Sequence, residues 1–267
     1  MKWMIRVDME GVTGVVNMNQ VVPGAADYHS GLRMLKHDLA SVLEGLLLAP
    51  EDRVVLYDIH FWGTNVELDE LDPRVSVICG KPNYTPDNMS FVNDTFDGVI
   101  LLGLHSKAGT PGGLLAHNYE HDIVCMSVNG LVVGEIGLEA LIAGEAGVPL
   151  VMVTADSEGA RETNELLPGT LTVVVKESLG DMSALCYPPS LTRKRLKAAA
   201  ALCVETAPRL TPFLMSGPIE LDMKFKPGAL LDKLKTRIYG SFVDEDRIIL
   251  TGGSVIEAWE QYLIAKA

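Results

Sequence analysis

Residues 1–11 read MKWMIRVDMEG, an apolar run from Trp3 to Val7 that closes on two carboxylates, Asp8 and Glu10, with Met9 between them. On extended backbone, residues two apart face the same way, so the two carboxylates can converge on one point. Converging anions repel unless a cation lies between them. The opening stretch therefore reads as a buried strand that delivers a cation site at its carboxyl end.

Working outward, the same rhythm repeats. A helical spacing of Leu32, Leu35, Leu39, Val42, Leu43 and Leu46 over residues 26–48 is followed by the strand-like runs RVVLYDI (53–59), RVSVIC (74–79) and DGVILLGL (97–104), with a helix-prone NVELDEL (65–71) between the first two. Strands alternating with helices predict a three-layer α/β/α fold built on a largely parallel sheet. After Leu104 comes HSKAGTPGGLLAHNYEHD (105–122), too rich in Gly, His and polar residues for a core element and read as a functional loop. IVCMSV and LVVGE flank an Asn-Gly pair, which predicts a hairpin. The helix EIGLEALIAGEAG precedes the buried strand VPLVMVTAD, whose Asp156 is placed to cap a further helix.

Beyond the soft boundary at 167/168, the chain reads as a smaller C-terminal α/β module, residues 168–267, attached to a metal-binding α/β domain, residues 1–167. Its expected elements are TLTVVVKES, a helix over 190–206, the strands IELDMKF, RIYGSF and RIILTG, and a terminal helix SVIEAWEQYLIA.

Composition narrows the function. With 22 Lys and Arg against 35 Asp and Glu, the net charge of -13 disfavours nucleic acid and anionic membranes as partners. No stretch approaches the ~18 uninterrupted apolar residues of a membrane helix. The four cysteines are scattered without metal-ligand spacing and suit a reducing cytoplasm. The apolar start is broken by Arg6 and Asp8, unlike a secretory leader. Nucleophile-elbow, phosphate-loop and dinucleotide fingerprints are absent.

Chemistry-bearing residues gather at strand ends. Asp8 and Glu10 leave the first strand, Asp58 and His60 the second, and His105 another, while Glu135 opens a helix. Open parallel sheets bind ligands outside the carboxyl ends of their strands. Two imidazoles and three carboxylates suit Zn²⁺ or Mn²⁺, and five ligands fit a bridged pair of ions better than one structural zinc. Asp58 is placed to fix the ring tautomer of His60. Lys176, at a strand end, is open to a substrate carboxylate or an acidic neighbour. His29, His37 and His121 read as structural or solvated.

The blocks VDMEGVTG, YDIHFWGTN, LLGLHSKAGTPGGLLAHN, VNGLVVGEIGLEALIAGEAGVPLVMVTAD and VVVKES, in this order, resemble the D-aminopeptidase family of M55 metallopeptidases. The resemblance implies a zinc-dependent aminopeptidase, with two Zn²⁺ per subunit, acting on short peptides that begin with a D-amino acid. It maps the metal ligands onto Asp8, Glu10, His60, His105 and Glu135 and a catalytic loop histidine onto His117. It also implies a homo-oligomer, a decamer of stacked pentameric rings. Phe61 and Trp62 stand where small polar residues are usual in the family, which marks them, with Lys176, as candidate substrate contacts. Two other functions fit the same ligands: a metal-dependent amidohydrolase of a small non-peptide amide, and a non-catalytic peptide-binding protein.

Overall fold

The computed structural model describes residues 1–82, 85 and 87–267. Its centre is a seven-stranded sheet made of β1 (Lys2–Val7), β2 (Arg53–Asp58), β3 (Val75–Ile78), β4 (Gly98–Leu104), β7 (Leu150–Asp156), β8 (Leu171–Gly180) and β9 (Ser183–Cys186), in the order β3-β2-β1-β4-β7-β8-β9. All neighbours are parallel except β9, which returns antiparallel to β8. A smaller antiparallel sheet has the order β11-β12-β10-β5-β6, from β5 (Ile123–Val128), β6 (Leu131–Val132), β10 (Ile219–Phe225), β11 (Phe242–Asp244) and β12 (Arg247–Gly252).

The alternation of β1 decides the layers. Trp3, Ile5 and Val7 pack on one face with Leu35, Leu39, Val42 and Leu46 of α1 (Tyr28–Leu46) and with Leu196, Ala200 and Cys203 of α4 (Pro189–Thr206). Met4 faces the other way, into the core that holds α2 (Glu135–Glu145), the small sheet and α6 (Val255–Lys266). Arg6, on that same face, is fully buried and ion-paired with Glu139 of α2, tying the helix layer to the central strand.

The sheets do not divide along the chain at 167/168. β8, β9 and α4 lie after that point yet extend the large sheet and its helix layer, whereas β5 and β6 lie before it and belong to the small sheet. The Asn129–Gly130 hairpin forms as expected, with both residues in the left-handed region at φ 47° and 80°. Asp156 caps α3 (Ser157–Leu166), accepting hydrogen bonds from the N–H groups of Glu158 and Gly159. Two expectations fail. NVELDEL forms turns, because the Asn65 backbone N–H and side chain are captured by Asp58 before a helix can start. RIYGSF is the end of α5 (Ala229–Arg237) and one 3-10 turn over Tyr239–Ser241, with β11 beginning only at Phe242.

Strand order fixes where a ligand can sit. The chain moves from β1 to β2 and β3 on one side, then crosses to β4 on the other, so the switch point lies between β1 and β4. There the two strand ends are in contact: Asp8 N–H donates to Leu102, and Gly11 N–H to Gly103. A Cβ at Gly11 would fall on the Leu104 carbonyl, and one at Gly103, whose φ is +79°, on the Asp8 carbonyl. Glycine at both positions allows DMEG to lie against the end of β4.

Candidate metal centre

At this switch point Asp8, Glu10, His60, His105 and Glu135 are all buried and turned inward. His60 Nδ1 lies 2.9 Å from Asp8 Oδ1 and 3.3 Å from Glu10 Oε2, while His105 Nε2 lies 3.5 Å from Asp8 Oδ2 and 3.3 Å from Glu135 Oε1. His117 Nε2 is 3.9 Å from the same Glu135 oxygen. Two groups of ligand atoms result, Asp8 with Glu10 and His105, and His105 with His117 and Glu135.

Each imidazole is anchored through one nitrogen and presents the other. His60 Nε2 meets the Val21 carbonyl at 2.9 Å, His105 Nδ1 that of Ser106 at 3.0 Å, and His117 Nδ1 that of Leu115 at 2.9 Å. A carbonyl accepts only, so the anchoring nitrogen carries hydrogen; the neutral ring then offers a lone pair at His60 Nδ1, His105 Nε2 and His117 Nε2. Such backbone anchoring is how metal-binding histidines are oriented.

The field of the pocket calls for positive charge. Burial, followed by the Glu10 charge, pushes the Asp8 carboxyl up to about 7. Burial acts on Glu10 in the same direction, but the His60 charge and hydrogen bond, with His117 and His105, hold it well below the usual carboxylate range. Burial would lower His105, yet Glu135, Asp8 and Glu10 overrule it and raise the ring to about 10; His60 rises well above its ordinary value in the same way, led by Glu10. This pull toward the protonated form is what a cation held between the carboxylates would relieve. Asp8 Oδ2, Glu10 Oε2 and His105 Nε2 nevertheless remain buried without a hydrogen bond. Orphaned acceptors aimed at one space, with two imidazoles, three carboxylates and no thiolate, fit zinc.

Comparison with known proteins agrees. The model of the M55 peptidase family, described as D-aminopeptidase, matches residues 1–263. The chain belongs to this family. A D-aminopeptidase of Bacillus subtilis (strain 168) is 29% identical over 214 residues, covering 79% of this chain and 77% of that protein. The solved structure of the Zn-dependent D-aminopeptidase DppA from Bacillus subtilis, described as a self-compartmentalizing protease, superposes with a TM-score of 0.91 over 99% of this chain and 96% of that one, at 24% identity. The M55 fold is therefore retained almost throughout.

Within this M55 chain two expected roles change. Asp58 does not touch the His60 ring; it accepts from the His60 backbone N–H at 3.2 Å and from Asn65, whose side chain also donates to the His60 carbonyl at 2.8 Å. It orients the turn, and the Val21 carbonyl orients the ring. Lys176 is fully buried and reaches no open space, so it is no substrate contact. Its ammonium donates to the carbonyls of Glu10 (2.6 Å), Val12 (2.7 Å) and Val15 (2.6 Å), using all three hydrogens to pin the loop that carries Glu10.

Phe61 and Trp62 do line the cavity above the ligands, a space of about 410 Å³ bounded also by Lys81, His117, Tyr119, Glu120, His121 and Lys266. Phe61 sits edge-on to His60 and at φ 44°, a left-handed conformation unusual for an aromatic residue. His121 is exposed, but its ring stacks on His117, which in turn stacks on His105. Tyr119 is the main functional side chain the sequence did not disclose. Its backbone N–H donates to Glu135 at 2.7 Å and its hydroxyl to Glu139 at 3.0 Å, so one residue braces two acids a helical turn apart. The signal was present as the i, i+4 pair Glu135 and Glu139 on a helix that is otherwise apolar up to its last residue, Glu145.

Proposed function

We propose that this protein is a zinc-dependent aminopeptidase that removes an N-terminal D-residue from short peptides. The observation that supports it best is the set of three imidazoles, each tied by one nitrogen to a backbone carbonyl and each turning the other toward buried carboxylates. Asp8, Glu10, His60, His105 and Glu135 would hold the metal, and five ligands, more than one structural zinc takes, favour two ions per subunit. When bound, zinc supplies a Lewis acid that polarises a carbonyl oxygen and makes water more acidic.

The remaining chemistry falls to the chain. Hydrolysis adds the oxygen of water to the amide carbon, breaks the C–N bond and returns a proton to the leaving nitrogen. Burial, then the charge of His105, lowers His117, keeping it neutral near pH 7. With hydrogen on Nδ1 toward Leu115, its Nε2 is a proton acceptor, which favours a base that later gives the proton to the leaving amine over a resting donor to an oxyanion. Phe61 and Trp62 wall the space in which the peptide would lie. The preference for a D-residue rests on the family.

The free thiols Cys79, Cys125, Cys186 and Cys203 suit a cytoplasmic enzyme. No helix among the described residues is long and apolar enough to cross a membrane. The hairpin β8–β9 exposes Leu179, Met182 and Leu185, an apolar edge suited to self-assembly, and the decameric double ring that the family resemblance implies is the arrangement we propose.

A panel of D- and L-alanyl di- and tripeptides, assayed with zinc-loaded and chelated protein, tests the reading. Cleavage of the D-series alone, lost on chelation, is expected; cleavage confined to a non-peptide amide, or none, overturns it. His117→Ala should retain its zinc while turnover falls at least ~100-fold. Turnover that survives would remove His117 from the chemistry.

A further inference from the structure

Beside the cavity above the ligands lies a second space of about 250 Å³, lined by Tyr57, Pro82, Trp259, Leu263 and Ala267. Ile59, Phe61, Trp62, Lys81, Tyr119 and Lys266 border both spaces, so the two adjoin. The annex is walled by aromatic rings: Tyr119 lies 4.6 Å from Trp259 between centroids, and Trp259 4.9 Å from Tyr262 behind it. An apolar cavity of about 150 Å³ already accepts a benzene ring, so this one has room for a benzyl or indolyl group. Trp62 stands 69% exposed at the rim.

Charge is segregated across these adjoining spaces. The inner end holds Asp8, Glu10 and Glu135; the junction with the annex holds Lys81 and Lys266. Lys266 is engaged by Glu120. Lys81 spends one hydrogen on the Ile59 carbonyl and, among the described residues, retains two; burial and then the charge of Lys266 lower its pKa, against the fields of Glu135, Asp8 and Asp58. With zinc held by Asp8, Glu10 and Glu135 the inner end is no longer anionic, and the cationic junction then complements a peptide laid with its reacting end at the metal and its carboxylate outward.

We propose that the second residue of a dipeptide places an aromatic side chain in the annex, between Phe61, Trp62, Tyr119 and Trp259, and its terminal carboxylate on Lys81. The site then favours D-aminoacyl-aromatic dipeptides with a free carboxyl end. This rests on the aminopeptidase reading and deepens it by naming the substrate class. Hydrolysis delivers the hydroxyl of water to the acyl carbon and its hydrogen to the nitrogen of the released aromatic amino acid. Lys81 acts by binding and takes no part in that exchange.

The test compares D-alanyl-phenylalanine, in both phenylalanine enantiomers, with its C-terminal amide and with D-alanyl-glycine, using zinc-loaded protein. For at least one enantiomer, kcat/KM should exceed that of D-alanyl-glycine by at least about tenfold, and amidation should remove about tenfold. Lys81→Met should abolish that acid-to-amide ratio, and Lys81→Arg should restore most of it. Leu263→Trp, which fills the annex, should lower kcat/KM for the phenylalanine peptide about tenfold more than for the glycine peptide. Equal rates for phenylalanine and glycine peptides, or an unchanged acid-to-amide ratio in Lys81→Met, would overturn the proposal while leaving the aminopeptidase reading intact. If no D-peptide is cleaved, that reading fails, and calorimetry on the metal-free protein decides this one separately. Binding of phenylalanine but not of phenylalanine amide, lost in Lys81→Met, supports it; equal binding of both overturns it.

Discussion

Replacing Lys176 by Met separates a structural tie from a substrate contact. The ammonium donates to three buried carbonyls, those of Glu10, Val12 and Val15, at 2.6 to 2.7 Å. Leaving a buried acceptor without a donor costs about 1–3 kcal/mol, or roughly 6 kcal/mol for three. Against that, burial lowers the Lys176 pKa from 10.5 to about 8, so the charged form is disfavoured in place by about 3 kcal/mol, a penalty that Met does not incur. The net expectation is a loss of about 3 kcal/mol, read by urea denaturation of the metal-free protein. A pH signature accompanies it. Between pH 8 and 10.5 the unfolded chain binds a proton that the folded chain does not, so wild-type stability rises across that window, and the Met variant lacks the rise. Because the freed loop carries Glu10, zinc affinity should fall as well. A variant of unchanged stability whose only defect is a raised KM would refute the reasoning and return Lys176 to the substrate.

Three further outcomes follow from the same geometry. Gly11→Ala places a methyl group on the Leu104 carbonyl, so the variant should lose at least ~3 kcal/mol in thermal or urea unfolding and bind zinc weakly; normal zinc content would show that DMEG can move. Since His60 and His105 are held protonated above their ordinary values and must be neutral to ligate, zinc affinity should rise about tenfold to a hundredfold per pH unit between pH 6 and 8, measured against a chromophoric chelator; a flat profile would contradict the proposed ligands. Asn65→Ala removes the donor to the His60 carbonyl and to Asp58, and should weaken zinc binding about tenfold with little change in unfolding of the metal-free protein.

Much of the candidate centre was legible because the convergence of its residues depends on local rules. A parallel strand must end at the same edge as its neighbours, so Asp8, Glu10, His60 and His105 are brought together by strand direction alone. Glu135 follows from the Asn129–Gly130 hairpin that turns the chain into α2. The supporting contacts obey no local rule. His60 meets Val21, 39 residues away, and Lys176 meets Glu10 across 166 residues. A lone lysine at a strand end therefore reads equally well as a ligand for substrate or as a clasp, and only packing decides. Asp58 misleads for a related reason: its short side chain serves the nearest backbone, here that of His60 and Asn65, before it can reach a ring.

The pieces that remained illegible are those that close the site from outside the large sheet. β5 and β6 join a sheet whose other strands lie some 90 residues later, and α6 brings Trp259, Leu263 and Lys266 to the rim of a cavity whose floor is set by the first strand. Periodicity identifies α6 as a helix yet says nothing of which face it shows to the cavity. The consequence is a division of labour. The strand ends specify what the centre can bind, and the returning C-terminal elements specify what can lie beside it. Tyr119 joins the two, with its N–H on Glu135, its hydroxyl on Glu139 and its ring against Trp259. Held at φ 43°, it connects the wall of the proposed substrate space to Glu135 of the candidate centre, so a change in the annex wall has a direct route to Glu135 through a single residue.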